Sequence, residues 1–295
     1  MDLSRFKQWL GKKSAPPDPE PAPGPEKTVS VNGVPLRAPL TFTGILPTLP
    51  GDQPEFQFEP LAHLALALTI TPGAVAYDVG ASYGVMSALM ARLTGPLGQV
   101  HSFEANAGVL ERARELSEVN GFSARTRFNN VCVGDRSGGF VEFYVVPGYS
   151  SVASTRNSEI LKFHPEAELV RAPLVSLDDY AREHAHTPDV MKIDIEGSEF
   201  LALEGARRIL QNRRPDLVIE THGLELLGIG GSVAELCESL DTYGYSFFDL
   251  TAGELVTARE YAERYAEPIA YLLASTRLED PAFVAALKNR RRLIA

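Results

Sequence analysis

Val75-Ala76-Tyr77-Asp78-Val79-Gly80-Ala81-Ser82-Tyr83-Gly84 decides the fold of this chain. A short apolar run ends in an acid and then in two glycines four positions apart, which reads as a buried strand, a tight loop and the start of a helix. Glycine at 80 and 84 opens backbone angles closed to other residues and lets a ligand approach the main chain without meeting a Cβ. The spacing is G-x-x-x-G, not the G-x-G-x-x-G whose middle glycine makes room for a pyrophosphate, so a dinucleotide is disfavoured.

About 20 residues beyond Gly84, Gln99-Val100-His101-Ser102-Phe103-Glu104 reads as a second strand with an acid at its tip, where a carboxylate can accept both hydroxyls of a ribose. Asp78 places a second negative group before the loop, where a cationic ligand gains most. S-adenosylmethionine has the required parts: a ribose, an amino group, a sulfonium and no phosphate.

The chain has 295 residues, 44% of them hydrophobic, enough for a large core with an appendage. A net charge of -10 and a pI near 5.2 argue against a nucleic-acid partner, because phosphate binding relies on lysine and arginine. Cys132 and Cys237 are too few for a disulfide framework. No signal-peptide pattern and no run of about 20 apolar residues occurs, so a cytoplasmic location is expected.

Residues 1–13 place Leu3, Phe6 and Leu10 on one helical face among Arg5, Lys7, Lys12 and Lys13, a small helix that either docks on its own domain or touches a membrane or partner. Residues 16–25 hold six prolines and read as an extended linker. The expected organisation is a segment with linker (1–27), a flap (28–59) with strands at 29–37 and 41–46, a main domain (60–275) and a C-terminal helix (276–295). Within the main domain, helices are expected at 60–68, 85–93, 109–120 (capped by Asn106), 177–184, 199–210 and 233–240. Strands are expected at 124–133, 140–146, 189–194, 215–220, 245–250 and 269–274, the last antiparallel at the edge. The small polar stretch 148–154 is a lid or an ordinary connection. Arg290, Arg291 and Arg292 read as a solvated helix terminus. Alternating strand and helix predict an α/β fold: a mostly parallel Rossmann-like sheet with an antiparallel edge strand, helices on both faces, and ligands at the carboxyl ends of the strands.

Taken together, Asp78 to Gly84, Phe103-Glu104-Ala105-Asn106, Asn120-Gly121-Phe122, Val133-Gly134-Asp135, Ser176-Leu177-Asp178-Asp179, Lys192-Ile193-Asp194-Ile195-Glu196-Gly197 and the run 215–222 resemble the FkbM-type S-adenosylmethionine-dependent methyltransferases. The resemblance covers about residues 60–222; Ser82 and Ala105 stand where members often have Asn and Pro. It implies the seven-stranded class I methyltransferase fold and methylation of oxygen, often a hydroxyl on a sugar or another secondary metabolite. By the same resemblance Asp78, Gly80, Ala81, Ser82 and Gly84 hold the methionine part of the donor, Glu104 with Ala105 the ribose side, and Val133 and Asp135 lie near the adenine.

Methyl transfer from a sulfonium is an in-line displacement in which positioning does most of the work, but a hydroxyl acceptor must also lose its proton. His222 is the first choice of base, because an ordinary imidazole titrates near neutrality, and Asp194 the second. His222 reads equally as a histidine that merely follows a strand. Lys192 is either a catalytic contact or a buried lysine paired with Glu196 or Glu220. Asp194 and Glu220, at adjacent strand ends, offer hard oxygen ligands to Mg²⁺. The competing readings are a nicotinamide-dependent oxidoreductase and a catalytically silent scaffold of the same fold.

Overall fold

The structure is a computed structural model that describes residues 26–39, 57–146, 161–162, 164–223 and 231–291. The expectations for 1–13, 16–25, 41–46, the stretch 148–154 and Arg292 lie outside the described residues.

Two strands, β1 (Glu26–Val31) and β2 (Val34–Pro39), precede α1 (Pro60–Thr69). The first sheet strand, β3 (Val75–Val79), leads to α2 (Val85–Thr94), β4 (Gln99–Phe103), α3 (Ala107–Val119) and β5 (Thr126–Asn129). Three strands, β6 (Cys132–Val133), β7 (Phe140–Val145) and β8 (Glu168–Val175), form a small separate sheet. The chain returns through α4 (Leu177–His184), β9 (Val190–Ile193), α5 (Glu199–Glu204), α6 (Arg207–Asn212) and β10 (Asp216–His222). It closes with α7 (Val233–Thr242), β11 (Ser246–Asp249), β12 (Glu254–Val256), α8 (Ala258–Arg264), β13 (Ile269–Ser275) and α9 (Pro281–Arg291).

The main sheet has eight strands in the order β12-β11-β13-β10-β9-β3-β4-β5. The run β10-β9-β3-β4-β5 is parallel, and β13 lies antiparallel to both β10 and β11. This is the class I methyltransferase sheet, with β12 added as an eighth strand beyond the expected seven. The period of two along β3 divides its side chains between two cores. Ala76 joins α1, α2, α9 and the β1–β2 hairpin on one face, whereas Tyr77 and Val79 join α4 to α8 on the other. Asp78 has the parity of Ala76, so the acid is buried under the sheet's first face.

Several expected elements differ. The strand expected over 29–37 is a hairpin, because Asn32 (φ 48°) and Gly33 (φ 81°) make the tight turn that matches strand twist. The strand expected over 124–133 breaks after Asn129; Asn130 turns its side-chain amide onto the carbonyls of Glu104 and Ala105, and β6 pairs instead with β8. Residues 168–175, where no element is expected, form β8 against β7. The helix expected over 199–210 is two helices. The Gly205 carbonyl accepts the Asp178 N–H, and the Asp178 carboxylate caps the new helix at the N–H groups of Arg208 (2.9 Å) and Ile209 (3.0 Å). The strand β13 is antiparallel as expected but interior, consistent with its almost wholly buried run; the edge on that side of the sheet is β12. Arg291 does not sit in solvent: its guanidinium donates to the carbonyls of Leu250 and Thr251.

Candidate active site

The glycine loop joins β3 to α2 at the carboxyl end of the sheet. Gly80 (φ 85°) and Gly84 (φ 76°) take left-handed angles as expected, and so does Ser82 (φ 49°). The N–H groups of Gly80 and Ala81 donate to the Phe103 carbonyl at 2.9 and 3.0 Å, which ties the loop to the tip of β4. The close approach that excludes a Cβ is internal rather than to a ligand. A Cβ on Gly80 would stand 1.7 Å from the Asp194 carbonyl oxygen, and one on Gly84 2.6 Å from the Ala113 Cβ.

Glu104 lies where the sequence places it, beside the loop. Its two oxygens accept from the Ser82 N–H (3.0 Å) and the Asn106 N–H (2.8 Å). Burial holds its carboxyl above the usual range, against the pull of those backbone donors. Each oxygen keeps a second lone pair that a ribose hydroxyl can use. Asp78 does not project into the loop: it is fully buried, its Oδ2 accepts from Ser87 Oγ, and its Oδ1 has no partner among the described residues. Burial pushes its carboxyl up to about 6, with Lys192 opposing. Its charge can act on a donor only through the structure around it, which corrects the expectation of a direct contact.

Lys192, Asp194, Glu220 and His222 do come together, at the adjacent ends of β9 and β10. Lys192 is 3% exposed, and its Nζ lies 2.8 Å from Asp194 Oδ2 and 3.2 Å from Glu59 Oε2. The expected partners Glu196 and Glu220 are therefore corrected to Asp194 and Glu59. Burial would strip the Lys192 proton, but Asp194, Glu59 and Asp78 hold its pKa well above the ordinary value. Burial would raise the Asp194 carboxyl, but Lys192 brings it below its ordinary value. Glu220, half-buried beside Asp194 and Glu59, is pushed up to about 8 by desolvation and those neighbouring charges.

The His222 Nδ1–H donates to Glu199 Oε1 at 2.9 Å, and its Nε2 lies 3.4 Å from Glu196 Oε2 and 3.9 Å from Asp194 Oδ1. Burial would lower its pKa, but the Glu199 hydrogen bond and the surrounding carboxylates push it up to about 9. An imidazole so placed is a cation at neutral pH, which corrects its assignment as a ready base. Asp194, Glu220 and His222 each offer one ligand atom, all within 4.8 Å of one another, so the Mg²⁺ pair of the sequence gains a third donor.

The remaining predicted residues sit at the margin. Ala105 packs on the small sheet beside Phe143, Val145 and Ala172. Val133 is 8% exposed in β6, and Asp135 pairs with Arg136 at 3.0 Å on the surface. A groove lined by Phe247, Leu255, Ala262 and Glu263 opens on the β11–α8 side and holds none of the predicted residues. Sequence reasoning missed Glu59 and Glu199. Glu59 stands directly before the Pro60 that opens α1, and Glu199 is the first-turn acid of α5; both positions are readable as helix starts, but neither shows which cation it meets.

Among known proteins, the description "Methyltransferase FkbM domain" matches residues 78–247, more than half of the chain. No curated relative matches it in sequence. Among solved structures, the chain is similar to the methyltransferase FkbM from Methylobacillus flagellatus KT at 20% identity and a TM-score of 0.44, over 68% of this chain and 43% of that one. The chain thus spans less than half the length of that protein. It is also similar to an O-methyltransferase from Bacillus cereus in complex with SAH (11% identity, 77% and 83% coverage, TM-score 0.40). A third likeness is to Aeropyrum pernix fibrillarin with natively bound S-adenosyl-L-methionine (11% identity, 82% and 90% coverage, TM-score 0.39). On the family match, this chain belongs to the FkbM methyltransferase family, whose methyl donor is S-adenosylmethionine.

Proposed function

We propose that the chain transfers the methyl group of S-adenosylmethionine to a hydroxyl of a small-molecule acceptor, a sugar or another secondary metabolite. The observation that carries this reading is the cluster of half-buried Asp194 and Glu220 with buried His222 at the strand ends next to the glycine bend. A hydroxyl needs a proton acceptor at the point of transfer, and carboxylates confined with their charges can supply one.

In this reading the loop residues Gly80, Ala81, Ser82 and Gly84 hold the methionine part of the donor and Glu104 with Ala105 its ribose side, with Val133 and Asp135 near the adenine. Asp78 contributes negative charge from beneath the loop. The acceptor oxygen attacks the methyl carbon in line, the carbon–sulfur bond breaks with its electron pair passing to sulfur, and the hydroxyl proton passes to the carboxylate cluster. Glu220, whose carboxyl is pushed up to about 8, titrates closer to neutrality than Asp194, which Lys192 keeps ionised. Lys192, held between two acids and 3% exposed, is a positioning residue rather than a contact to substrate.

Membership of a methyltransferase family speaks against the nicotinamide reading. The acidity of the chain favours a small acceptor over a nucleic acid, and no described helix is long and apolar enough to cross a membrane. A cytoplasmic location, a main domain over 60–275 and a flap over 28–59 belong to the same proposal. The test is an assay with methyl-tritiated donor against hydroxylated acceptors, each paired with its deoxy analogue. Label retained by an acceptor and lost with its hydroxyl supports the reading. Label passing to nitrogen or carbon, or no transfer to any acceptor while the donor binds, overturns it.

A further inference from the structure

We propose that Asp194, Glu220 and the Nε2 of His222 form a binding site for a divalent first-row transition cation, of which Mn²⁺ is the probe. This deepens the hydroxyl-methylation reading and rests on it only for the ion's role, not for the site itself.

Two observations point to it. First, His222 is fixed as a ligand is fixed. It is 3% exposed, and its Nδ1 faces Glu199 Oε1, an oxygen that also accepts the N–H groups of Ile195 (3.2 Å) and Gly197 (3.0 Å). With Nδ1–H donated to that carboxylate, Nε2 faces Asp194 Oδ1 (3.9 Å) and Glu196 Oε2 (3.4 Å), and a cation bound there displaces the Nε2 proton; a carboxylate behind an imidazole is the usual support of a metal-bound histidine. Second, the negative charge there is not matched. Glu59, Asp78, Asp194, Glu196, Glu199 and Glu220 surround Lys192 and His222, and Asp78 Oδ1 and Glu199 Oε2 are buried without a hydrogen-bond partner among the described residues. Buried carboxylates are normally paired or bound to a cation.

The donor set selects the ion. Two carboxylates alone suit Mg²⁺, which the sequence suggested, but an imidazole in the third place moves the preference to Mn²⁺, Fe²⁺ or Zn²⁺. Donor atoms within 4.8 Å of one another must close to about 3.0–3.6 Å to surround one ion with bonds of about 2.1 Å, an inward movement of up to about 1–2 Å that rotation of the two carboxylate side chains can supply. The open positions then take the acceptor oxygen, and the cation lowers the cost of removing its proton. With Asp194 and Glu220 engaged by the ion, the proton leaves instead to the Glu196 carboxylate, whose Oε2 lies 3.4 Å from His222 Nε2, while the oxygen's lone pair forms the new bond to carbon and the carbon–sulfur pair stays on sulfur.

The test is a titration of the metal-stripped full chain with Mn²⁺, without donor or acceptor, read by electron paramagnetic resonance. One tight Mn²⁺ per chain is expected, with an imidazole ¹⁴N modulation in the electron spin echo. Affinity should fall at least about tenfold in Glu220→Gln and Asp194→Asn, the modulation should vanish in His222→Gln, and the surface variant Glu111→Gln should change nothing. Bound Mn²⁺ without nitrogen modulation in the native chain, affinity indifferent to Glu220→Gln, or no tight Mn²⁺ overturns the site. The readings separate cleanly: hydroxyl methylation undiminished in EDTA removes the metal and keeps the reaction. A site that binds Mn²⁺ in a chain methylating no hydroxyl keeps the metal and removes the reaction.

Discussion

Two buried acid clusters at opposite parts of the main sheet have been resolved in different ways. At the far edge, Asp249 is fully buried and matched: Arg264 Nη1 donates to its Oδ2 at 2.7 Å, while the Ala252 N–H (2.7 Å) and the Tyr265 hydroxyl (3.3 Å) donate to its Oδ1. At the ends of β9 and β10, several acids crowd two cations, carboxyls are pushed upward, and oxygens have no donor among the described residues. The matched cluster is architecture, since every charge has its partner within the fold. The unmatched one holds charge whose partner is not part of the described chain, as expected where a cationic donor or a metal is to be received. Of the six left-handed non-glycine residues described, Glu59 (φ 38°), Ser82 (φ 49°) and Glu196 (φ 52°) fall on the unmatched side, while Asn32, Ala185 and Arg214 serve turns and helix ends elsewhere. Such strain of about 1–3 kcal/mol each collects at functional sites.

The largest effect should come from removing the central cation. Lys192→Met leaves Glu59, Asp78 and Asp194 buried against one another, and a loss of about 3–5 kcal/mol in urea unfolding is expected. Arg264→Met, whose guanidinium is open to water, should cost clearly less. Equal losses would erase the distinction between the two clusters.

Neutralising an acid should have opposite signs in the two places. Asp249→Asn removes a satisfied charge and should destabilise by about 1–3 kcal/mol. Glu220→Gln relieves repulsion and should stabilise the ligand-free chain by about 1 kcal/mol while lowering methyl transfer, a trade seen where sites hold unfavourable groups for function. Destabilisation in both variants would mean that Glu220 is as well paired as Asp249.

The smallest effect is a slope with pH. His222 titrates near 9 in the fold against an ordinary 6.5, so its contribution to stability is complete below 6.5 and is lost as pH rises through 9. Glu220, near 8 against 4.5, has the same sign, with its contribution lost as pH rises through 8. The melting temperature of the ligand-free chain should therefore fall between pH 6.5 and 9, and less steeply in Glu220→Gln. A flat or rising profile would contradict the assigned charge states.

How far the sequence could be read follows from how local each signal is. The strand, bend and helix around Gly80, the acid at position 104 and the Asn106 cap rest on spacings within one βαβ unit, and they stand as read. The cluster of Lys192, Asp194, Glu220 and His222 followed from two strands ending side by side. Its charge states did not, because they depend on Glu59 and Glu199, brought in by other segments. The edge was misread for a similar reason. Both β13 and an edge strand can be apolar runs, and only pairing with β11 on its far side makes β13 interior. The strand β8 was passed over because Glu168 and Arg171 interrupt its alternation, a pattern that a small half-exposed sheet tolerates.

The central claim is that S-adenosylmethionine rests on the glycine bend with its ribose held by Glu104, and calorimetric titration of the donor into the native chain and Glu104→Ala tests it most directly. The account predicts one donor bound per native chain and affinity at least about tenfold weaker in a variant whose circular dichroism is unchanged. Equal affinity in the two proteins, or a native chain that does not bind the donor, would contradict it.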